Sequence, residues 1–318
     1  MLKTLLISGA ALALIGCGAQ TTTAQASKTE ASKSEASKTD ANEAAAPAQD
    51  ITTKDLGGGF YMLLGPGGNI GVSVGDDGVF VIDDKFARFG DQIIGQIRGI
   101  TDAPIRYVIN THYHGDHAGA NAEMKETGAV IVAHENVRKR MGMTFENKAF
   151  GATTKATDAS LWPDVTYSED ATFHFNGQTV HAIHTPSAHT DGDSILYFEE
   201  ANILHMGDNF FFGLFPYIDV DGGGSLAGMI AAHEKALELV NDNTTIIPGH
   251  GPLAVRADLI KAQEMLKTIQ KRVKEEIARG ATLENILEKD ILADYAEYSS
   301  FIDEENMVKI AHRSITQN

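Results

Sequence analysis

The sequence predicts a mixed α/β fold, of the α+β kind, made of two similar halves whose sheets pack together inside and whose helices lie outside. Three observations predict it. Short apolar runs bounded by Gly, Pro and Asp occur in two rounds, one within 60–109 and one within 172–247, and each round leads into helical periodicity. Histidines and aspartates recur just after those runs, where a sheet presents functional groups on loops. The 318 residues, 43% of them apolar, suffice for one large domain or two small ones.

Taken in order, the chain opens on a processing segment. Lys3 precedes an apolar run at 5–15, too short to span a membrane but suited to a signal peptide. Leu14-Ile15-Gly16-Cys17 resembles the lipobox of bacterial lipoproteins. That resemblance implies a signal peptide over 1–17, a lipid on Cys17, and export to the periplasmic face of a bacterial membrane. Gly18 after the cysteine points to the outer membrane. A plain signal peptide with a chance cysteine is the alternative. Residues 18–50 are rich in Ala, Ser, Thr, Lys and Glu and repeat Ala26-Ser27-Lys28-Thr29-Glu30 with small changes. Such a stretch cannot bury enough surface to fold, and reads as a disordered tether with a reach of roughly 30 Å.

The folded domain is expected over 51–318. Strands are predicted at 60–64, 69–74 and 79–82, with Gly65-Pro66-Gly67-Gly68 and Gly75-Asp76-Asp77-Gly78 as turns. A helix follows over 87–98, then a strand at 105–109, a short helix at 119–125, a strand at 130–133 and a basic helix around 137–140. The stretch 143–163 has no periodicity and reads as a long loop. Strands at 172–175, 179–184, 194–198 and 202–205 come next, then a helix over 226–240 with Ser225 as N-cap, and a strand at 244–247. From about 254 onward the chain is mostly amphipathic helix, read as packing on the sheet.

The chemistry concentrates in Asn110-Thr111-His112-Tyr113-His114-Gly115-Asp116-His117. A strand could not turn these groups to one point, because alternate side chains face opposite sides. A tight loop after the 105–109 strand can, with Gly115 supplying backbone freedom. Imidazole nitrogens and a carboxylate suit a borderline metal such as zinc. His189, Asp208 and His250 stand at later strand ends, and Asp83 ends the third strand.

Composition narrows the partners. The formal charge of −17 argues against a nucleic-acid partner, which needs clustered Lys and Arg. The single cysteine, Cys17, lies in the leader, so any metal in the domain is held by His, Asp or Glu.

His112-x-His114-x-Asp116-His117, followed by His189, Asp208 and His250, resembles the metallo-β-lactamase superfamily over about 60–251. The resemblance implies a four-layer αββα sandwich with two zinc ions between the sheets, iron or manganese being alternatives. It implies that His112, His114 and His189 hold the first ion, that Asp116, His117 and His250 hold the second, and that Asp208 bridges them. Asp83 would brace the His loop from behind. Pro186-Ser187-Ala188-His189 is one residue longer than the family's usual spacing, which leaves His184 as a fallback ligand, and His205 is the likeliest further exception among the other histidines.

Two such metals about 3.5–4 Å apart would lower the pKa of a shared water towards ~7, and the resulting hydroxide would attack a carbonyl. Asp116 would orient it as well as bind metal. The export route makes a β-lactam, and with it antibiotic resistance, the leading substrate expectation. A lactone or a thioester is the alternative, and a non-hydrolytic di-iron or binding-only protein the last. Two departures weigh against a β-lactam. Asp208 stands where the best-known subclass has cysteine, and Phe211 where that subclass has a lysine that grips the substrate carboxylate. The aromatic segment 210–217 is either core packing or a pocket wall, and the 65–68 turn a mobile flap. The expected partners are a small-molecule substrate and, through Cys17 alone, a membrane; the expected state is a monomer.

Overall fold

The computed structural model describes residues 50–149 and 151–317. The expected signal peptide, the lipidated Cys17 and the tether lie outside the described residues.

The first half gives strands β1 (Thr52–Gly57), β2 (Phe60–Leu64), β3 (Ile70–Gly75), β4 (Gly78–Ile82), β5 (Ile105–Ile109) and β6 (Val130–His134). A small hairpin, β7 (Phe145–Asn147) and β8 (Ala152–Thr154), precedes β9 (Val165–Tyr167). The second half gives β10 (Ala171–Phe175), β11 (Gln178–His184), β12 (Ser194–Phe198), β13 (Ile203–His205) and β14 (Thr245–Ile247). The helices are α1 (Gly90–Ile100), α2 (Gly115–Ala118), α3 (Asn121–Glu126), α4 (Glu135–Met141), α5 (Leu226–Leu239), α6 (Arg256–Ala278), α7 (Leu283–Leu287) and α8 (Glu304–Thr316).

One sheet runs β1-β2-β3-β4-β5-β6-β9, antiparallel up to β4 and parallel from there. The other runs β10-β11-β12-β13-β14, with β13 and β14 parallel. Strand β4 shows why both faces of the first sheet are covered. Phe80 and Ile82 point to the second sheet, where they meet Val180, Leu196 and Phe198. Val79 and Val81 point the other way, towards Ile93 and Ile97 of α1. A strand buried on both faces reads as an unbroken apolar run rather than an alternating one. The second sheet is covered likewise, by Ala236 of α5 and Leu259 of α6 over Ile195, Leu204 and Ile246. The layers are therefore helix, sheet, sheet, helix, as expected.

Ser225 caps α5 as predicted, its hydroxyl accepting from the Gly228 N–H at 2.9 Å. Several elements differ from the sequence reading. β1 was not foreseen, because Thr52-Thr53-Lys54-Asp55 is polar and the strand is an exposed edge. The expected 143–163 loop holds the β7–β8 hairpin and a 3₁₀ turn at Ala159–Leu161, pieces too short to show periodicity. The short helix expected at 119–125 is α3, and α2 just before it was not foreseen. The His loop thus turns directly into α2. Gly115 opens that helix in an ordinary conformation with open space where a Cβ would be, so the loop does not need its freedom.

Register places the functional loops. β4 pairs with β5 through Ile82 and Ile109, which brings Asp83 beside Thr111. β13 pairs with β14 through His205 and Ile247, so Asp208 and His250 leave the sheet side by side. Parallel strands with such loops at their carboxyl ends form the usual crevice for ligands in α/β sheets.

Candidate metal centre

Two clusters of donors meet between the sheets. One holds His112, His114, His189 and Asp208, the other Asp116, His117 and His250. Asp208 reaches both. Its Oδ1 lies 2.9 Å from His117 Nε2 and 3.4 Å from His250 Nε2, and its Oδ2 lies 3.5 Å from His189 Nε2 and 3.8 Å from His112 Nε2. The His250 Nε2 is also 3.4 Å from Asp116 Oδ2.

The partners behind the rings fix which nitrogen faces inward. His117 Nδ1 donates to Asp83 Oδ2 at 2.7 Å, leaving Nε2 to the cluster. His189 Nδ1 donates to the Tyr217 carbonyl at 2.8 Å. Asp83 also accepts from the Thr111 N–H and hydroxyl at 2.7 and 2.8 Å, so that hydroxyl is free to accept from His112 Nδ1 at 3.0 Å. His114 is turned the other way, its Nε2 donating to Asp219 Oδ2 at 3.0 Å. With these tautomers His114 Nδ1 and His189 Nε2 both lack a proton, yet stand 2.9 Å apart. His112 Nε2 is buried with no hydrogen-bond partner. Unprotonated donors aimed at one point repel unless a cation lies between them. Tetrahedral bonds of about 2.1 Å place donors ~3.4 Å apart, close to the separations found here. The nitrogen and carboxylate set fits divalent zinc, iron or manganese, and no thiolate is among the described donors.

The electrostatics pull both ways. For His114 and His117 burial works downward, but the carboxylates, chiefly Asp219 for the first and Asp208 for the second, outweigh it and raise them. Burial pushes His112 well down, and His189 down to about 4. Burial works to raise the Asp208 carboxyl, but the imidazoles of His117 and His250 outweigh it and hold it well below the usual range. For Asp116 burial is likewise overcome, chiefly by His117, and the carboxyl falls to about 2. Burial lowers His250 less than Asp208 and Asp116 raise it, to about 9. A cation entering beside those carboxylates would displace imidazole protons.

All seven expected ligands therefore come together, and Asp83 stands behind them. His184 does not join them. It stacks on His134 with centroids 3.7 Å apart and bonds the Asp193 carbonyl through Nδ1 at 2.8 Å. The extra residue before His189 is absorbed by Ser187, whose φ is +51°. His205 also stays out, its Nε2 donating to the Asn69 carbonyl at 3.1 Å.

Three residues were missed from sequence. Asp219 is buried and accepts from His114, from the Gly222 N–H at 2.8 Å and from the Tyr113 hydroxyl. Thr111 links His112 to Asp83. Gly68 lies against His117 so closely that a Cβ would fall 2.0 Å from the ring Cε1. A Gly-rich run after Asp219-Val220-Asp221 was the one available sign of a tight turn there. The 65–68 turn, expected as a flap, is fastened. Gly68 N–H donates to the Asp116 carbonyl at 3.0 Å, Asn69 N–H to the Gly249 carbonyl at 2.7 Å, and the buried Lys85 ammonium to the Gly68 carbonyl.

The profile of the metallo-beta-lactamase superfamily matches residues 65–250, more than half of the chain and the whole of the donor set. The chain belongs to this superfamily. As a member it is a metal-dependent hydrolase. Among curated proteins it is similar to the "Probable metallo-hydrolase YqgX" of Bacillus subtilis, 26% identical over 151 residues, 46% of this chain and 68% of that one. It is also similar to a "Hydroxyacylglutathione hydrolase" of Methylococcus capsulatus, 27% identical over 193 residues, 56% of this chain and 68% of that one. Among solved structures it resembles the "Metallo-beta-lactamase from Pontibacter korlensis", with a TM-score of 0.57 and 17% identity over 69% of this chain and 99% of that one. The sec-alkylsulfatase Pisa1 from Pseudomonas sp. gives a TM-score of 0.62 and 16% identity over 83% of this chain, which spans only 50% of that one. At these identities the structures show a shared fold.

Beside the donors lies a cavity of about 490 Å³. Its floor is His114, Asp116, Asp208 and His250, and its walls include Phe86, Phe211, Leu214, Phe215 and Tyr217. The aromatic segment divides between the two expected roles. Phe211 stacks on His250 at 5.0 Å and faces the cavity, while Phe210 packs in the core with Ala236 and Leu259.

Proposed function

We propose that the chain is a dinuclear zinc hydrolase that opens an uncharged acyl bond, a lactone or thioester ahead of a β-lactam. When bound, the two cations supply Lewis acidity and bring the pKa of a water towards ~7. The residues do the rest. Asp116 lines the cavity, is partly exposed, and stays ionised, so it can orient the attacking water and accept its proton. His117 and Asp83, and His114 and Asp219, form imidazole–carboxylate pairs that keep each donor nitrogen turned inward. Phe211 and Tyr217 give one side of the cavity an aromatic surface.

One observation carries the substrate reading: no Lys or Arg is among the described residues lining the cavity. A β-lactam brings a carboxylate that wants a fixed cation partner. A lactone or a thioester with an apolar acyl group does not. The lipobox-like leader supports an activity outside the cytoplasm, tethered through Cys17. The test is turnover by the full chain, loaded with zinc, of a lactone and thioester panel beside a chromogenic cephalosporin. Chelator-sensitive cleavage of the neutral substrates at higher kcat/KM supports the reading. Faster cephalosporin turnover would restore the β-lactam.

A further inference from the structure

The basic run at 137–140 lies in α4, and one of its cations turns to the loops of the metal centre. Arg140 spans two of them. Its Nε donates to both carboxylate oxygens of Asp191 at 3.1 Å, and its Nη2 to Oδ2 at 2.7 Å. Its Nη1 donates to the Asp221 carbonyl at 3.2 Å. Asp191 stands two residues after His189, and Asp221 two residues after Asp219, the acceptor that turns His114. The backbones of these loops are themselves paired. Asp219 N–H donates to the His189 carbonyl at 2.9 Å, and Asp191 N–H to the Gly222 carbonyl at 3.0 Å. Space beside the guanidinium is tight, since a Cβ on Gly223 would fall 3.0 Å from Nη2 and 2.8 Å from the Asp191 Cβ. The Arg140 and Asp191 side chains are only 15% and 23% exposed, so their pairing is not a loose surface contact. Asn136 of the same helix adds a second hold, its Nδ2 donating to the Asp191 carbonyl at 2.8 Å.

We infer that Arg140 is a positioning residue for the metal centre, whose guanidinium ties the His189 loop to the Asp219 loop and so sets the facing donors of His189 and His114. The inference rests on the metal-dependent reading of the site and not on the choice of substrate. The contacts call for arginine. A planar fork with five donors holds a carboxylate and still reaches a carbonyl, whereas a lysine ammonium is one point on a flexible stem. His189 Nε2 and His114 Nδ1 stand 2.9 Å apart, so a slip between the loops changes the room left for an ion beside them. His117 takes its hold from Asp83, and His250 follows β14, so neither depends on Arg140. Groups that support a metal donor from outside contribute about 10–100-fold in affinity, and Arg140, one contact further out, belongs at the low end.

The experiment uses the full chain with isotope-labelled histidine, titrated with zinc in a chelator buffer and followed by the ring nitrogen resonances in NMR. Arg140→Lys should raise the free zinc needed to shift His114 and His189 about tenfold, while His117 and His250 stay within about twofold of the parent. Arg140→Ala should lose more, and added ethylguanidinium should restore its His189 response where ethylammonium does not. Arg138→Ala is the control on the same helix, because Arg138 donates to the Pro163 carbonyl and to neither loop. It should leave all four rings at parental zinc. An equal loss at all four rings in Arg140→Lys means general loosening and overturns the inference, as does an Arg138→Ala loss that matches it. A parent whose rings ignore zinc sinks the metal-dependent reading and the inference together. A parent that responds, beside an Arg140→Lys protein that responds identically, sinks the inference alone.

Discussion

Gly68→Ala tests the metal centre at its tightest contact. An added methyl carbon would sit 2.0, 2.3 and 2.6 Å from Cε1, Nε2 and Nδ1 of His117. The nearest of these falls about 1.4 Å short of the 3.4 Å at which ordinary contact begins. The ring cannot retreat freely. It is fully buried, and is held by Asp83 at 2.7 Å on one side and Asp208 at 2.9 Å on the other. A metal bond tolerates about 0.2 Å of displacement, several times less than the shift required. Either His117 leaves its cluster, or the turn moves and breaks the bond from Gly68 N–H to the Asp116 carbonyl. With two ions bound as proposed, the expected outcome is loss of the one at Asp116, His117 and His250, so that metal per chain by mass spectrometry falls from two to one. Zinc affinity at that site should drop at least 100-fold. Overpacking adds about 1–3 kcal/mol of destabilisation, read by urea unfolding of the metal-free protein. Gly115→Ala in the same motif is the comparison, since its Cβ meets nothing within 4 Å. It should keep both ions and gain up to about 1 kcal/mol in the helix. A Gly68→Ala protein that retains two ions at parental affinity would refute the geometry argued here.

Other outcomes follow from the same contacts. Asp219→Ala removes the acceptor that turns His114, and should weaken zinc binding 10–100-fold in a competition titration with a chromophoric chelator. Chelation should lower Tm and zinc should restore it, by about 1.4 kcal/mol per tenfold of free zinc above Kd; a Tm indifferent to zinc would contradict the site. Lys85 gives a pH signature. Burial depresses its ammonium to about 8 from 10.5, so the unfolded chain binds more protons between those values. Stability of the metal-free protein should therefore rise with pH over that window, by up to about 3 kcal/mol, and level off above it. Lys85→Met should flatten that rise in urea unfolding at pH 7.5 and 9.5; an unchanged slope would show that the ammonium is not confined as described.

Much of this was legible in the chain. β4 could be read because both of its faces are covered, which writes an unbroken apolar run into the sequence, and β5 because only the exposed Arg106 interrupts its apolar run. The donor motif could be read because its spacing is local and its loop has one carboxylate for three imidazoles. What could not be read is what meets across the fold. Asp219 lies 105 residues from His114, in a segment whose visible signal was aromatic, and nothing local marks it as an imidazole partner. Phe301 sits in a stretch read only as helix packing, and its place at the cavity depends on how α8 closes over the 211–218 loop. Lys85 would pass for a surface lysine; its φ of +61° and its burial come from the tie to the 65–68 turn.

The seven donors are divided between the two sheets. His112, His114, Asp116 and His117 follow β5, while His189, Asp208 and His250 follow β11, β13 and β14. An ion in either cluster that also engages Asp208 therefore works as a clasp across the layers. The sheets cannot part without opening it, and it cannot be emptied from behind, because Asp83, Thr111 and Tyr217 close that side. Layer separation would then empty the site, although an ion could also leave through the cavity that His114, Asp116 and His250 floor. A bound cation should accordingly slow the breathing apart of the two halves of the sandwich.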